Sequence, residues 1–333
     1  MLKSYINRVK ANIQIYSNKK TKNILEGSYK SIYYGRSLDF EDLREYNYGD
    51  NVKDIDWKSS SRTGRLLVRR YIAERKHYVL ILLDSGKKMD ADTESGASKK
   101  EVALLTAGTL AYVAYKNHDE IGFMFNKNNR ISFHDFKTSE TSIELGLHDY
   151  DVNGMEGNTD DSCVEKDLDF ILHNINKSMI IFVITDRFGT SNIKADTLKK
   201  LGIKNDIFII NIADSLMTGE GSFDIDANSY IPLNWATDDR LHQAELDLRK
   251  EIDSRNKEKI KQAKASTCVI DTKEEVVPKI IELIERRRDE YRHWVTRSIY
   301  VFNMAYLSNI RPFCFFSYCC CYLFSFIKEE NKR

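Results

Sequence analysis

The chain has 333 residues, 42% hydrophobic and 30% charged, with only 3 prolines, the profile of a soluble globular protein with one large core or two smaller ones. Its 51 basic and 50 acidic residues leave a formal net charge of +1, which excludes a global electrostatic pull toward nucleic acid or an acidic membrane. Of the 6 cysteines, Cys163 and Cys268 stand alone and Cys314, Cys319, Cys320 and Cys321 crowd near the end. No CxxC or Cys/His spacing points to zinc and no spread points to a disulfide framework, so the body reads as reduced and cytoplasmic.

In chain order, Leu2, Ile6, Val9, Ile13 and Tyr16 recur at helical spacing and predict an amphipathic helix over residues 2–17. The surrounding stretch lacks a continuous apolar core and a cleavage site, so it is not a secretory signal. Residues 27–77 mix glycine, aromatics and charge. Within them, Ile55 and Trp57 facing one way with Asp56 opposite suit a short strand. From Tyr78 the pattern becomes strand and helix in alternation. Tyr78–Asp84 is a buried strand, residues 99–117 a long apolar-faced helix, and "EIGFMFN" and "RISFHDF" a hairpin closed by "KNN".

Residues 163–175 are expected to be helical, "SMIIFVITD" a second buried strand, 191–202 a short helix and "DIFIINIAD" a third buried strand. An edge hairpin over 221–234, a charged helix over 238–264, a last strand in "STCVIDTKEE" and a helix over 276–292 complete the series. The alternation predicts an α/β fold, a Rossmann-like and mostly parallel sheet flanked by helices. Ligands of such sheets lie beyond the carboxyl ends of the strands, where Asp84 and Asp186 both fall. The expected organisation is an N-terminal helix (1–26), an irregular Arg/Asp/aromatic-rich segment packed on the sheet (27–77), the α/β domain (78–292) and an apolar, Cys-rich tail (293–333).

The tail contains "FCFFSYCCCYLFSFI", which is shorter than the ~20 residues of a membrane-spanning helix. Extending it to residue 299 places Arg311 and Pro312 in the middle. Three readings stand side by side: a membrane-associated or acylated hairpin, an apolar helix packed on the body, and a frame-shifted, non-native end.

Hard divalent cations take several oxygen ligands. Asp84 in "LLDSGKK", Thr159 in "MEGNTD" and Asp186 in "FVITDRFG" occur in the order and rough spacing of the metal-ion-dependent adhesion site of von Willebrand factor A-like domains, which they resemble. That site carries two serines where this chain has Gly86 and Lys88. Gly86 removes a ligand, and an ammonium ~4 Å from a cation is repelled by several kcal/mol at a protein-like dielectric. The expectation is a degenerate site in which Lys88 fills the cation's place and pairs with Asp84 and Asp186, with Mg²⁺ absent or weakly held. If a cation is bound, Asp84, Thr159 and Asp186 hold it. A plainer reading has both aspartates tying loops. Ser85 is a poor nucleophile candidate, since its flanks are not G-x-S-x-G and no histidine has an evident claim as its base.

Upstream, "GSYKSIYYGRSLDFEDLREYNYGDNVKDIDWKSSSRTGRLLVRRYIAER" strongly resembles the signature of the bacterial domain of unknown function 58 family (DUF58). Among the matching positions are Arg44, Tyr46, Gly49, Asp50, Asp56, Trp57, Arg62 and Arg69, with Ser61 in place of the usual alanine. The same residues form either an ion-pair network that pins an irregular segment or a docking surface of arginines and aromatics. The family carries this block just before a von Willebrand A-like domain.

The resemblance implies a non-catalytic interaction or adaptor module. The same resemblance implies a partnership with a MoxR-type AAA+ ATPase in chaperone-like assembly or maturation, in the cytoplasm or at the inner face of a bacterial membrane. The rival expectation is a Mg²⁺-dependent hydrolase or an intact metal-dependent binding module on the same strand ends. A nucleotide-binding protein is disfavoured, because there is no P-loop and no GxGxxG after the first strand.

Overall fold

The computed structural model describes residues 4–16, 29, 40–48, 50, 52, 55–71, 76–154, 160–218, 223–224, 229–230 and 238–290. Gly49, Thr159 and the whole tail lie outside the described residues. The chain divides into two compact units, Met1–Arg286 and Arg287–Arg333.

The first unit is built on a six-stranded sheet, with β3 (Tyr78–Leu83), β4 (Glu120–Lys127), β5 (Arg130–Lys137), β6 (Ile180–Asp186), β7 (Asp206–Ile212) and β10 (Ser266–Ile270) in the order β10-β7-β6-β3-β4-β5. All neighbours are parallel except the β4–β5 hairpin. β1 (Phe40–Glu45) and β2 (Leu67–Tyr71) form a separate antiparallel pair, as do the two-residue strands β8 (Phe223–Asp224) and β9 (Ser229–Tyr230). The sheet is thus mixed α/β and mostly parallel, as the alternation predicts.

The central strands are continuous apolar runs because helices cover both of their faces. Val79, Ile81 and Leu83 of β3 join one core with Ile180, Phe182 and Ile184 of β6, while Leu80 and Leu82 join the other with Ile181 and Val183. The first core is closed by α1 (Tyr5–Tyr16), α3 (Lys99–Lys116), α4 (Glu140–Asn153) and α9, which starts at residue 276. The second is closed by α5 (Val164–Asn174), α7 (Ala195–Gly202) and the C-terminal part of α8 (Asp239–Gln262). α1 buries Tyr5, Ile6, Val9 and Ile13, and the Glu144 carboxylate of α4 accepts the Tyr5 and Ile6 N–H groups at 2.9 Å each.

Several local expectations are revised. The segment 140–153, unassigned from sequence, is α4. Its Ile143, Leu147 and Tyr150 face the core, and its Gly146 lies where a Cβ would approach the Phe123 ring to 2.5 Å. The single helix expected over 191–202 is two, α6 (Arg187–Asn192) and α7, since the Asp186 carboxylate accepts the Gly189 N–H and starts a helix directly after β6. The Lys259 ammonium of α8 then binds the carbonyls of Thr190, Ser191 and Ile193 at 3.2, 2.7 and 3.1 Å and closes that turn. The strand expected around Trp57 is the start of α2 (Trp57–Thr63). Asp56 caps it through Ser59 N–H at 2.9 Å, and Trp57 is 64% exposed instead of packed. In the "KNN" turn, Asn128 and Asn129 take φ of 50° and 56°, the left-handed pair that suits a two-residue hairpin.

Candidate strand-end site

Adjacent parallel strands β3 and β6 bring their carboxyl ends side by side, and the Asp84 N–H still donates to the Ile184 carbonyl at 2.9 Å. Asp84 and Asp186 therefore share one edge of the sheet, each about 1% exposed. They serve different partners there. The Asp84 carboxylate accepts four hydrogen bonds, from Gly86 N–H (3.0 Å), Cys163 N–H (3.0 Å), Ser162 hydroxyl (2.7 Å) and Thr185 hydroxyl (2.6 Å). Its backbone carbonyl accepts from the Tyr150 hydroxyl at 2.7 Å. Burial raises the Asp84 pKa, the Thr185 bond opposes that, and the nearby Asp186 charge raises it further.

Asp186 accepts from Gly189 N–H with one oxygen and meets the Lys99 ammonium at 3.2 Å with the other. Lys99 is the first residue of α3, only 3% exposed, and its ammonium also pairs with Asp214, two residues beyond β7. The carbonyl of Lys88 is its third acceptor, at 3.2 Å. The Asp214 pKa is raised by burial and by the Asp186 charge, against which Lys99 and Arg187 act. Arg249 of α8 holds the Asp214 and Ser215 carbonyls at 3.0 and 2.5 Å and so fixes the loop after β7.

The expectation that Lys88 pairs with Asp84 and Asp186 is overturned. The Lys88 ammonium lies 3.2 Å from Asp161 and 4.5 Å from the centre of the Phe188 ring, at the rim. The amine inside is Lys99, and it joins Asp186 to Asp214 and not to Asp84. Gly86 is required by close packing: a Cβ there would stand 2.1 Å from the Asp161 carbonyl oxygen. The loop hydroxyl that reaches Asp84 is Ser162, Thr159 being outside the described residues.

These groups do not fit a divalent cation. All four acceptor positions of Asp84 are used by protein donors, Ser85 Oγ is fully buried and accepts from Asn126 N–H at 2.9 Å, and an ammonium already lies between Asp186 and Asp214. Among the described residues, no three His, Cys, Asp or Glu side chains are grouped to hold a metal ion. The arrangement ties three strand ends and two loops into one polar knot.

The signature residues belong to a second group of elements. Arg44 pairs with Asp50 at 2.6 Å, and Asp50 also accepts Asn47 N–H at 2.9 Å. The Asn47 bond first, then Arg44, hold the Asp50 carboxyl below its ordinary range. Tyr46 N–H donates to the Leu66 carbonyl at 2.9 Å, and Arg69 pairs with Leu43 in the β1–β2 register. Trp57 and Arg62 of α2 are exposed.

Sequence reasoning missed Lys99, Asp214, Ser162 and Thr185. A signal for the first existed. A lysine in the first turn of a helix opposes the helix dipole, so one at the head of a helix as apolar as α3 calls for a local carboxylate. Asp214 sits at the end of the third buried strand, in the position that singled out Asp84 and Asp186.

Among curated proteins the chain is similar to the uncharacterized protein Rv1480 of Mycobacterium tuberculosis and to the uncharacterized protein Mb1516 of Mycobacterium bovis. Each is 23% identical over 110 residues, which is 33% of this chain and 34% of the relative. The match thus spans about a third of those relatives' length. Among solved structures it resembles an aerotolerance-related membrane protein from Bacteroides fragilis (TM-score 0.40, 13% identity, 63% of this chain and 99% of that one). It also resembles a von Willebrand factor type A protein from Catenulispora acidiphila (0.38, 11%, 67% and 44%). No helix among the described residues is long and apolar enough to cross a membrane. The family described as "Protein of unknown function DUF58" matches residues 42–219, a little over half of the sequence, and the chain belongs to that family.

Proposed function

We propose that the protein is a non-catalytic interaction module that works with a MoxR-type AAA+ ATPase in chaperone-like assembly or maturation. The observation that carries this reading is the closed strand-end knot. At the edge where such sheets take ligands, the carboxylates of Asp84 and Asp186 are already committed to hydroxyls, N–H groups and an ammonium. What faces outward there is a rim of recognition chemistry: exposed Lys87, half-exposed Lys88 paired with Asp161, and the Phe188 ring beneath the Lys88 ammonium. A partner carboxylate at this rim would take Lys88 from Asp161 and meet a charge held in place by an aromatic face.

The α2 surface, with exposed Trp57 and Arg62, adds a second contact area rich in residue types that dominate interfaces. The test is capture of a MoxR-type AAA+ ATPase by the tagged full chain. Lys88→Glu should abolish capture while leaving the melting temperature unchanged. Unchanged capture by Lys88→Glu would remove the strand-end face from the interface.

A further inference from the structure

We infer that Lys99 is the strand-end site's own cation: a fixed ammonium stands among oxygen ligands suited to a hard metal ion, and removal of that amine turns the knot into a divalent-cation site. This rests on the geometry alone and not on the docking reading above. The ammonium has three protons and meets three acceptors, one oxygen of Asp186 at 3.2 Å, one of Asp214, and the Lys88 carbonyl at 3.2 Å. Two carboxylates and a main-chain carbonyl converging on one point are the donor set of calcium, magnesium and manganese sites. The second Asp214 oxygen is buried with no hydrogen-bond partner, in a residue only 7% exposed, so a further acceptor is in place.

The placement is fixed from outside the cluster. Lys99 N–H donates to the Ala91 carbonyl at 3.0 Å, and Ser98 caps α3 through Glu101 N–H. The Lys88 carbonyl belongs to the short 3-10 turn Lys87–Asp90, held by Lys87 N–H on the Asp160 carbonyl at 3.0 Å. While the ammonium is present, a divalent ion at the same point is repelled by it and finds its ligands taken. The wild-type protein is therefore indifferent to divalent ions at this site, and its fold needs none.

The test titrates Mn²⁺ alone into the full-length wild type and into Lys99→Ser, followed by electron paramagnetic resonance and by thermal melts with Mn²⁺ or EDTA. The wild type should bind no Mn²⁺ at submillimolar concentration and melt at the same temperature in all conditions. Lys99→Ser should bind one Mn²⁺ per chain at submillimolar concentration and melt higher with it, and adding Asp214→Asn should remove that binding. Where Lys99→Ser does not fold, Lys99→Gln, which keeps an N–H donor for Asp186, takes its place. Stoichiometric Mn²⁺ uptake by the wild type overturns the inference, as does an EDTA-lowered melting temperature. So does a folded Lys99 variant that gains no Mn²⁺ site, or failure of both variants to fold even with Mn²⁺ supplied.

Discussion

The Lys99 ammonium and a carboxylate oxygen of Asp186 lie 3.2 Å apart, with 4% and 1% of their side chains exposed. Between residues so deeply buried, an ion pair is a poor source of net stability but a costly thing to break, because the surviving charge has no water to turn to. Lys99→Met leaves Asp186 and Asp214 facing each other without a cation. It should destabilise the protein by about 3–5 kcal/mol at neutral pH, measured by urea unfolding. The loss should shrink as the pH falls from neutral into the acid range, because Asp214, whose pKa burial already raises, becomes neutral there. An equal loss at both pH values would mean that packing of the lysine stem, and not charge, is what the knot requires.

Asp84 anchors four donors from three segments. Asp84→Ala strands two buried main-chain N–H groups that cannot reorient, and should cost at least about 3 kcal/mol in chemical denaturation. Thr185→Val and Ser162→Ala each remove one hydroxyl and should cost about 1–2 kcal/mol.

Gly86→Ser restores a residue of the adhesion-site pattern, yet its Cβ would meet the Asp161 carbonyl oxygen at 2.1 Å. The loop before α5 must then move, and with it the Ser162 and Cys163 bonds to Asp84. We expect a loss of about 2 kcal/mol or more and no gain of Mn²⁺ or Mg²⁺ binding by calorimetry.

Glu245 of α8 receives the N–H groups of Met217 and Thr218 and the Thr218 hydroxyl at 2.8–3.0 Å, and pairs with Arg249. Burial alone would raise its pKa, but the Met217 and Thr218 bonds outweigh that and hold it below the ordinary value. A carboxylate depressed on folding contributes stability in full above its unfolded value of about 4.3, and loses it as the pH falls from there through the folded value. Melting temperatures of Glu245→Gln and the wild type should therefore differ most at neutral pH and converge in acid below the folded value. A gap that persists there would assign the effect to geometry.

Trp57 is 64% exposed at the head of α2. Trp57→Ala should change stability by no more than about 0.5 kcal/mol. Weaker capture of the ATPase by a variant of unchanged stability would place α2 in the interface, and unchanged capture would take it out.

Much of the architecture was legible in the chain. The runs Val79–Leu83, Ile180–Ile184 and Ile207–Ile210 are apolar without interruption because each is buried on both faces, and that period-free pattern is local. The Asn128–Asn129 turn and the N-capping of α3 by Ser98 are likewise written in adjacent residues. α4 was not legible, because its apolar positions are few and Gly146 is there to fit Phe123, a residue of another element.

The partners of the strand-end acids were decided only in three dimensions. Sequence put Lys88 nearest to Asp84, four residues away, and so favoured it as the internal amine. The chain turns at Lys87–Asp90 and directs that side chain to the rim, while the head of α3, eleven residues further on, slides Lys99 beneath the strand ends. Periodicity fixes which face of an element is apolar. Which ammonium reaches which carboxylate depends on how helices seat against the sheet, a sum of many contacts between residues far apart in the chain.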